Sequence, residues 1–296
     1  MIDILFAGTG ASIPSRERSL PCIALRMNRD IILFDCGEGS QRQLMISPFS
    51  FMKIKAVFIS HLHGDHFLGL PGLLQTMSMS GRKDDLLLVG PAGFKDALGC
   101  MIKACGGEIS YNIDIIEASD GDTFVFREFI VRTFGVLHSV PALGFRFEEN
   151  DRPGWFDRSK AVSLGLSPGP DFAGLRRGET VGGVRPEDVI GPVRKGKRIV
   201  YTGDTARCAR VAEMAKDADV LIHEATYSSN EEKMAKEHLH STSCDAALTA
   251  KEANVLMLVI THMSNRYEDA PVLEEECLKI FPDTVAARDM LMITLK

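Results

Sequence analysis

Several features that would assign a chain to a special class are missing from this 296-residue sequence. No apolar run reaches the roughly 18 residues that a membrane-spanning helix requires, so we expect no association with membranes. The first residues carry no basic segment ahead of an apolar one, which argues against a secretory signal peptide. Tandem repeats of the solenoid kind are absent as well. We therefore expect a globular protein of the cytoplasm.

Paired cysteines and an excess of positive charge are also lacking. The seven cysteines are scattered, none forms a Cys-x-x-Cys pair, and their number is odd. A disulfide framework is therefore not expected, and free, buried thiols in a reducing compartment are. The formal net charge of −6 excludes a uniformly basic surface for binding nucleic acid, although it leaves room for a local basic patch.

What the sequence does contain is a set of short apolar runs that alternate with helical stretches. Continuous apolar strands suit a sheet that is covered on both faces, and strands interleaved with helices indicate a layered α/β architecture. We expect a single domain over residues 1–296. The predicted strands are Ile2–Phe6, Ile31–Phe34, Ala56–Ile59, Leu86–Val89, Ile199–Tyr201, Val220–Ile222 and Leu256–Ile260. The predicted helices are Gly69–Met79, Phe94–Lys103, Arg207–Ala215, Ser243–Ala253 and Pro271–Ile280.

Residues 150–198 differ in composition from the rest of the chain. This segment contains 9 Gly and 5 Pro, and its 10 Lys and Arg against 6 Asp and Glu give it a charge of +4. The remainder of the chain must then carry −10. So many Gly and Pro residues are incompatible with a core helix or a central strand. The segment is predicted to be an inserted arm, lid or long functional loop, with a disordered surface insertion as the alternative.

Four side chains that bind metals follow one apolar strand within six residues. The segment His61–His66 has the pattern His-x-His-x-Asp-His. In an extended chain His61 and His63 point the same way, and Gly64 permits a turn that redirects Asp65 and His66. Three imidazoles and a carboxylate suit zinc or a similar divalent ion. One tight segment could thus serve two neighbouring metal ions.

Other ligand-type residues repeat this placement at the ends of apolar strands. They are His138 after Phe134–Leu137, Asp204 after Arg198–Gly203, the pair His223 and Glu224 after Val220–Ile222, and His262 after Leu258–Thr261. In layered α/β folds, functional sites gather at strand ends because the loops there rest on a rigid base. The pattern predicts that these side chains meet at one edge of a sheet.

This set of motifs resembles the metallo-β-lactamase superfamily. The resemblance implies an αββα sandwich with two metal ions at one edge. It implies that His61, His63 and His138 hold the first ion, that Asp65, His66 and His262 hold the second, and that Asp204 bridges both. The ions are expected to be two Zn²⁺, with Mn²⁺ or Co²⁺ possible. Two ions roughly 3.5–4 Å apart can share a hydroxide nucleophile and stabilise the charge on a phosphoryl group.

Within that superfamily the sequence resembles the ribonuclease Z family in its short form. The matching motifs are the loop Gly8–Arg18, the segment Phe34–Gln43, the segment His223–Thr226 with His240–Thr242 after it, the segment Thr261–Tyr267, and Leu166–Phe172 in the Gly/Pro-rich arm. Ser19 stands where the family usually has Asn.

This second resemblance implies a zinc-dependent endoribonuclease that removes the 3′ trailer of precursor tRNA and leaves a 3′-hydroxyl on the tRNA. A metal-activated hydroxide would attack the phosphodiester, with Asp65 as base, while Glu224 and His240 would deliver a proton to the leaving oxygen. A homodimer is implied as well. The expected RNA-binding residues are Arg18, Gly169, Pro170, Arg176, Arg177 and Arg266.

Two other functions fit parts of the sequence. The same ions would serve a general phosphodiesterase or a thioester or lactam hydrolase, because they activate water whatever the electrophile. A non-catalytic RNA-binding protein that kept the fold is the second alternative. The arm and the His223–Thr226 segment argue against the first, and the complete ligand set argues against the second.

Overall fold

Two β-sheets form the centre of the protein in a computed structural model that describes residues 1–106, 108–267 and 271–296. The first sheet has the strand order β14-β1-β2-β3-β4-β5-β6, numbered along the chain, and the second has the order β13-β12-β11-β10-β9-β8-β7. Strands of the first sheet are β1 (Ile2–Gly8), β2 (Cys22–Met27), β3 (Asp30–Phe34), β4 (Ile54–Phe58), β5 (Leu86–Gly90), β6 (Ile113–Glu117) and β14 (Leu291–Leu295). Strands of the second are β7 (Thr123–Val125), β8 (Phe129–Gly135), β9 (Leu143–Glu149), β10 (Arg198–Tyr201), β11 (Val220–Glu224), β12 (Leu258–Thr261) and β13 (Thr284–Ala286).

Helices cover the outer face of each sheet. In β3, side chains alternate, so that Leu33 joins the apolar core under α3 and α4 while Phe34 faces the other way. In the second sheet, Leu221 and Ile260 belong to a core that includes side chains from α8, α10 and α11. The helices are α1 (Ser40–Ile46), α2 (Gly64–Phe67), α3 (Leu70–Met79), α4 (Phe94–Ala104), α5 (Arg158–Ser163), α6 (Pro170–Arg176), α7 (Pro186–Val189), α8 (Ala209–Ala215), α9 (Glu232–His238), α10 (Ser243–Glu252) and α11 (Pro271–Leu278).

Aromatic rings fill the space between the two sheets. The ring of Phe34 in the first sheet stacks on Phe145 of the second at a centroid distance of 5.3 Å and lies 5.8 Å from Tyr201. Phe58 lies 5.5 Å from the same Phe145 ring. Both faces of the central strands are thus buried, which explains the continuous apolar runs in the sequence. The predicted αββα sandwich is confirmed.

The seven predicted strands and five predicted helices are all present, with ends that differ by a few residues. The largest difference at a strand start is two residues: the run Leu256–Ile260 begins its strand at Leu258, and the run Ala56–Ile59 begins at Ile54. Elements that the sequence did not predict include strands at and next to the sheet edges, the inner strands β2 and β9, and several short helices. These are β2, β6, β7, β8, β9, β13, β14, α1, α2, α5, α6, α7 and α9.

The Gly/Pro-rich segment forms most of a second compact unit, residues 126–130 and 148–197. It contains the short helices α5, α6 and α7 around its own apolar cluster. A disordered insertion is therefore not what the structure describes. The buried members of this cluster are Ala161, Leu166, Phe172, Leu175, Val184 and Val189.

The cysteines and the helices bear on two further expectations. All seven cysteines are free, as predicted, but only Cys22, Cys36 and Cys277 are buried. Cys100 and Cys105 are exposed, so the expectation of buried thiols is wrong for these two. No helix among the described residues has the length and apolar character needed to cross a bilayer.

Candidate metal centre

The segment His61–His66 connects the first sheet to α2 and supplies four side chains to one cluster. After β4 the chain runs extended through His63, and α2 then begins at Gly64, which turns Asp65 and His66 toward the histidines before them. His61 and His66 are completely buried, whereas His63 and Asp65 are partly exposed. The strand end fixes the first pair of side chains and the helix fixes the second.

Three histidines make up the first group of ligand atoms. The distance from His61 Nε2 to His63 Nδ1 is 3.1 Å, and that from His138 Nε2 to the same His63 nitrogen is 3.2 Å. The other nitrogen of His138 lies 3.1 Å from the carbonyl oxygen of Leu239, which sets the orientation of its ring. Three imidazole nitrogens that converge in this way suit a common cation.

A carboxylate and two histidines make up the second group. His262 Nε2 lies 3.4 Å and His66 Nε2 lies 3.6 Å from Asp65 Oδ2. His262 follows β12 and has a backbone φ of 54°, a left-handed conformation that is uncommon for a non-glycine residue. Such strain at a residue of the cluster is typical of functional sites.

Asp204 lies between the two groups. Its Oδ2 atom is 3.6 Å from His61 Nε2, 3.3 Å from His66 Nε2 and 3.3 Å from His262 Nε2. The ligand atoms of the first group, together with that of Asp204, all lie within 4.8 Å of one another. The same holds for the ligand atoms of the second group. The structure thus brings together all the side chains that the sequence predicted as ligands.

The cluster suits a divalent cation. His66 Nε2 and Asp204 Oδ1 are buried and, among the described residues, have no hydrogen-bond partner. Burial lowers the pKa of His61, and the neighbouring His66 lowers it further, which favours the neutral form that binds metals. Burial also opposes a charge on His66, but the carboxylates of Asp204 and Asp35 outweigh it and raise the pKa of His66. A metal ion would provide the partner that these two buried atoms lack. It would also supply the positive charge that the carboxylates favour.

Glu224 and His240 form a hydrogen-bonded pair beside the cluster. Glu224 Oε1 lies 2.7 Å from His240 Nδ1, and the amide of Thr205 donates to the same oxygen. Burial opposes the charge on His240, but Glu224 outweighs it and raises the pKa of His240 to about 9. The His240 ring stacks on that of His262 at 5.4 Å. A protonated imidazole oriented by a carboxylate can act as a general acid.

Comparisons of the sequence with known proteins identify its relatives. Two family models match the chain: one described as Beta-lactamase superfamily domain, over residues 171–263, and one described as Anti-Pycsar protein Apyc1, over residues 2–108. Ribonuclease Z of Methanosarcina acetivorans is 43% identical, with 100% of this chain and 98% of the relative covered. Ribonuclease Z of Bacillus licheniformis is 42% identical, with 97% of each chain covered. The chain belongs to the ribonuclease Z family.

A solved structure gives the same result. The crystal structure of the short form of human tRNase Z matches with a TM-score of 0.73 and 29% identity, and 99% of each chain is covered. The resemblance read from the sequence motifs is therefore confirmed, and this member of the ribonuclease Z family is an endoribonuclease with a metallo-β-lactamase fold.

Asp35 is a site residue of this ribonuclease Z family member that the sequence analysis did not single out. Its buried carboxylate lies 2.7 Å from His66 Nδ1 and accepts hydrogen bonds from the amide and hydroxyl of Ser60 and from the hydroxyl of Tyr201. This leaves His66 Nε2 as the nitrogen that faces the cluster. The sequence contained a sign of this role, because Asp35 directly follows the apolar strand β3, just as the predicted ligands follow other strands.

The N-terminal Gly-rich loop contacts the metal cluster through its backbone. The amide of Ser12 donates to Asp65 Oδ2 at 2.8 Å, and Ser12 has a φ of 58°. Asp289, near the other end of the chain, holds the base of the loop: it accepts hydrogen bonds from the hydroxyl of Thr9 and from the amide of Ser19. The loop therefore orients a carboxylate of the cluster, a role that the sequence did not reveal.

The two arginines predicted to bind RNA outside the arm differ in exposure. Arg18 is buried, and its guanidinium donates to Thr9 Oγ1 at 2.7 Å and to the carbonyl oxygen of Ala287 at 2.9 Å. Arg266 is exposed and lies over the ring of Tyr227 at 5.5 Å. Only Arg266 thus presents its charge at the surface, and Tyr227 links it to His240, since those two rings are 6.1 Å apart.

The arm residues predicted to bind RNA lie around helix α6. Gly169 has a φ of 114°, which favours glycine, and Pro170 is the first residue of the helix, where a proline is well tolerated. Arg176 lies over the ring of Phe156 at 5.0 Å. Arg177 forms a surface ion pair with Glu179 at 2.8 Å. Both arginines lie on the exposed side of the helix.

Proposed function

We propose that this protein removes the 3′ trailer of precursor tRNA by cutting one phosphodiester bond and leaving a 3′-hydroxyl on the tRNA. The observation that carries the proposal is the Glu224–His240 pair placed directly beside the His/Asp cluster, in a chain that is 43% identical to a ribonuclease Z over its whole length. A proton donor beside the cluster suits a phosphodiester whose leaving group is an alcohol, as the 3′ oxygen of the tRNA is.

The proposed cofactor is a pair of Zn²⁺ ions, with Mn²⁺ or Co²⁺ as possible replacements. His61, His63 and His138 would hold one ion, Asp65, His66 and His262 would hold the other, and Asp204 would bridge them, which its three short distances to the histidines support. When bound, such ions supply a nucleophile from water at neutral pH and stabilise the negative charge of the transition state.

The protein's own side chains would move the protons. Asp65, which is oriented by the amide of Ser12, would accept a proton from the attacking water. Glu224 holds Nδ1 of His240, so Nε2 is the nitrogen that would donate a proton to the leaving 3′ oxygen of the tRNA. Arg266 is an exposed cation that lies over Tyr227, whose ring is 6.1 Å from that of His240, and it would bind a phosphate of the RNA.

The arm would bind the body of the tRNA. Its charge of +4, against −10 for the rest of the chain, supports contact with a phosphate backbone. In this proposal residues 150–198 form the RNA-binding part of an otherwise single domain, and Gly169, Pro170, Arg176 and Arg177 belong to its RNA-binding surface. The small core of the arm supports such a role because it gives the surface a defined shape.

A cytoplasmic homodimer completes the proposal. The free state of all seven cysteines supports a reducing compartment. Adjacent apolar side chains of α1, Met45 and Ile46, are each 58% exposed, which supports an association between copies of the chain through this helix. Sedimentation equilibrium of the wild-type protein and of Met45→Lys tests the dimer.

The proposal is tested by incubating the purified protein with a 3′-extended precursor tRNA, with and without a chelator, and mapping the new ends. We expect one cut that leaves a 3′-hydroxyl and that the chelator prevents. His63→Ala should lose bound metal and activity together, whereas His238→Ala, which changes a histidine of α9 outside the cluster, should keep both. Faster turnover of a cyclic nucleotide than of precursor tRNA would favour the general phosphodiesterase instead.

A further inference from the structure

The arm exposes the only tryptophan of the chain. Trp155 is 75% exposed, the most of any large apolar side chain of the arm. It lies just ahead of α5, where residues 152–156 run antiparallel to residues 190–194: Arg152 and Arg194 exchange backbone hydrogen bonds at 2.9 Å, and the amide of Gly191 donates to the carbonyl oxygen of Trp155. A large aromatic ring is thus held on a paired backbone and presented to solvent.

A guanidinium group lies against this ring. Arg194 Cζ is 4.0 Å from the centroid of Trp155, and Nε of the same arginine donates to the carbonyl oxygen of Pro153. In the part of the chain that the structure describes, Arg194 forms no ion pair with a carboxylate, in contrast to Arg152, which pairs with Glu149. The ring and an uncompensated cation therefore form one surface, which we name the Trp155–Arg194 platform.

The chemistry of the platform selects its partner. An exposed indole offers a flat apolar face on which a nucleobase can stack, and an adjacent guanidinium can bind the phosphate of the same nucleotide. A protein partner with an apolar surface would cover the ring but would leave the cation of Arg194 without a counter-ion. The arm as a whole is also basic, at +4 over residues 150–198. These observations favour RNA.

We propose that the Trp155–Arg194 platform binds an unpaired nucleotide of the tRNA substrate, one that mature tRNA retains, by stacking its base on the indole. The proposal rests on the proposed function, because it names a contact of the same enzyme with its substrate. The platform adds to affinity and takes no part in the chemical step, so its loss weakens the binding of tRNA without slowing the cleavage of bound tRNA.

Steady-state kinetics test the platform on the full-length, metal-loaded enzyme. Trp155→Ala should raise KM for precursor tRNA about tenfold, as expected for the loss of one base stack, with kcat unchanged. Hydrolysis of bis(p-nitrophenyl) phosphate should stay at the wild-type rate, and Trp155→Phe should restore much of the affinity. Val193→Ala, which removes a 58% exposed side chain from the same part of the arm, is the matched control and should leave KM unchanged.

Fluorescence gives a second, independent readout on the unmodified protein. Because Trp155 is the only tryptophan, quenching by acrylamide reports on this ring alone. We expect mature tRNA, which has no trailer to be cut, to protect the ring from acrylamide at least twofold. Unchanged quenching at saturating tRNA overturns the proposal, even if Trp155→Ala fails to fold.

The other results also have a definite meaning. An equal KM for Trp155→Ala and Val193→Ala overturns the platform, while wild-type cleavage of precursor tRNA keeps the proposed function intact. A change in sedimentation with no change in KM overturns it too and assigns the ring to a protein contact. If the wild-type enzyme hydrolyses the small diester but neither cuts nor binds tRNA, the proposed function itself fails.

Discussion

Asp35 is the residue outside the ligand set on which the cluster depends most directly. Its carboxylate is completely buried and contacts Ser60 and His66, which follow β4, and Tyr201, which ends β10. Partners of this kind orient a histidine ligand and make it more basic, and their loss typically costs 10–100-fold in metal affinity. The tautomer and orientation of His66 therefore depend on Asp35.

We expect Asp35→Asn to lower the affinity for Zn²⁺ by about 10–100-fold, because the amide cannot hold His66 Nδ1 as a carboxylate does. Competition with a chromophoric chelator measures this change. Tyr201→Phe removes only one of the donors to Asp35 and should have a smaller effect. An Asp35→Asn protein that binds zinc as tightly as the wild type would contradict the role given to this carboxylate.

The role of His240 depends on the leaving group of the substrate. In precursor tRNA the leaving group is an alcohol, which needs a proton, whereas p-nitrophenolate leaves without one. His240→Ala should therefore lower kcat for precursor tRNA by about 10²–10⁴-fold, the usual contribution of a general acid. It should change the hydrolysis of bis(p-nitrophenyl) phosphate much less.

Glu224→Gln provides the check on this interpretation. Without the carboxylate, His240 loses its main source of positive charge and orientation, so the same selective loss is expected in a weaker form. If both substrates slow equally in both variants, the pair supports the cluster structurally and donates no proton.

At the scale of elements, the sequence predicted strands with unbroken apolar runs better than strands that polar residues interrupt. Strands such as β4 and β11 contain the unbroken apolar runs Ala56–Phe58 and Val220–Ile222, which are buried, so their pattern is unambiguous. β6 is half-buried and contains Asp114 and Glu117, which break the apolar run. The arm helices α6 and α7 were missed because their prolines suggested loops, although Pro170 and Pro186 stand at helix starts, where proline is favourable.

The residues of the candidate site also fall into a set that the sequence predicted and a set that it did not. Ligand-type residues at strand ends were predictable because such positions converge in layered α/β folds. The amide of Ser12 and the carboxylate of Asp289 were not, because they act through backbone geometry and through a contact between distant parts of the chain. The inward orientation of Arg18 was equally hidden, since arginine is usually exposed and residue type alone does not reveal an exception.

The arm is an element that can be removed at a defined position. The backbones of Arg152 and Arg194 are hydrogen-bonded to each other at 2.9 Å, so a few glycines could join the chain after residues 153–191 are deleted. We expect this deletion to abolish cleavage of precursor tRNA and to spare hydrolysis of bis(p-nitrophenyl) phosphate, because the ligands lie outside the arm. Equal loss of both activities in a folded protein would count against a substrate-binding arm.

For the molecule as a whole, the notable property is the separation of charge between an arm of +4 and a remainder of −10. Each Lys or Arg that neutralises a phosphate releases counter-ions, so binding weakens as salt rises. The logarithm of the binding constant falls by roughly 0.7–0.9 per phosphate contact for each tenfold rise in salt concentration. The acidic remainder should repel RNA and so restrict binding to the basic surface.

We therefore expect KM for precursor tRNA to rise steeply between 50 and 200 mM salt, by orders of magnitude if several contacts form. The KM for a small diester should change little over the same range. Removal of the arm should flatten the salt dependence of any remaining tRNA binding. A slope that does not differ between the intact and the armless protein would place the phosphate contacts elsewhere.

The hydrogen bonds of Asp289 have a consequence for the synthesis of the protein. The loop whose Ser12 amide orients Asp65 is held by a residue that the ribosome adds about 280 positions later, and β1 pairs with β14, which is made later still. A nascent chain would hold every histidine of the cluster well before it could fix that loop. The enzyme would thus acquire its full activity only when translation of this region is finished, and shortening the chain before residue 289 would affect the opposite end of the sequence.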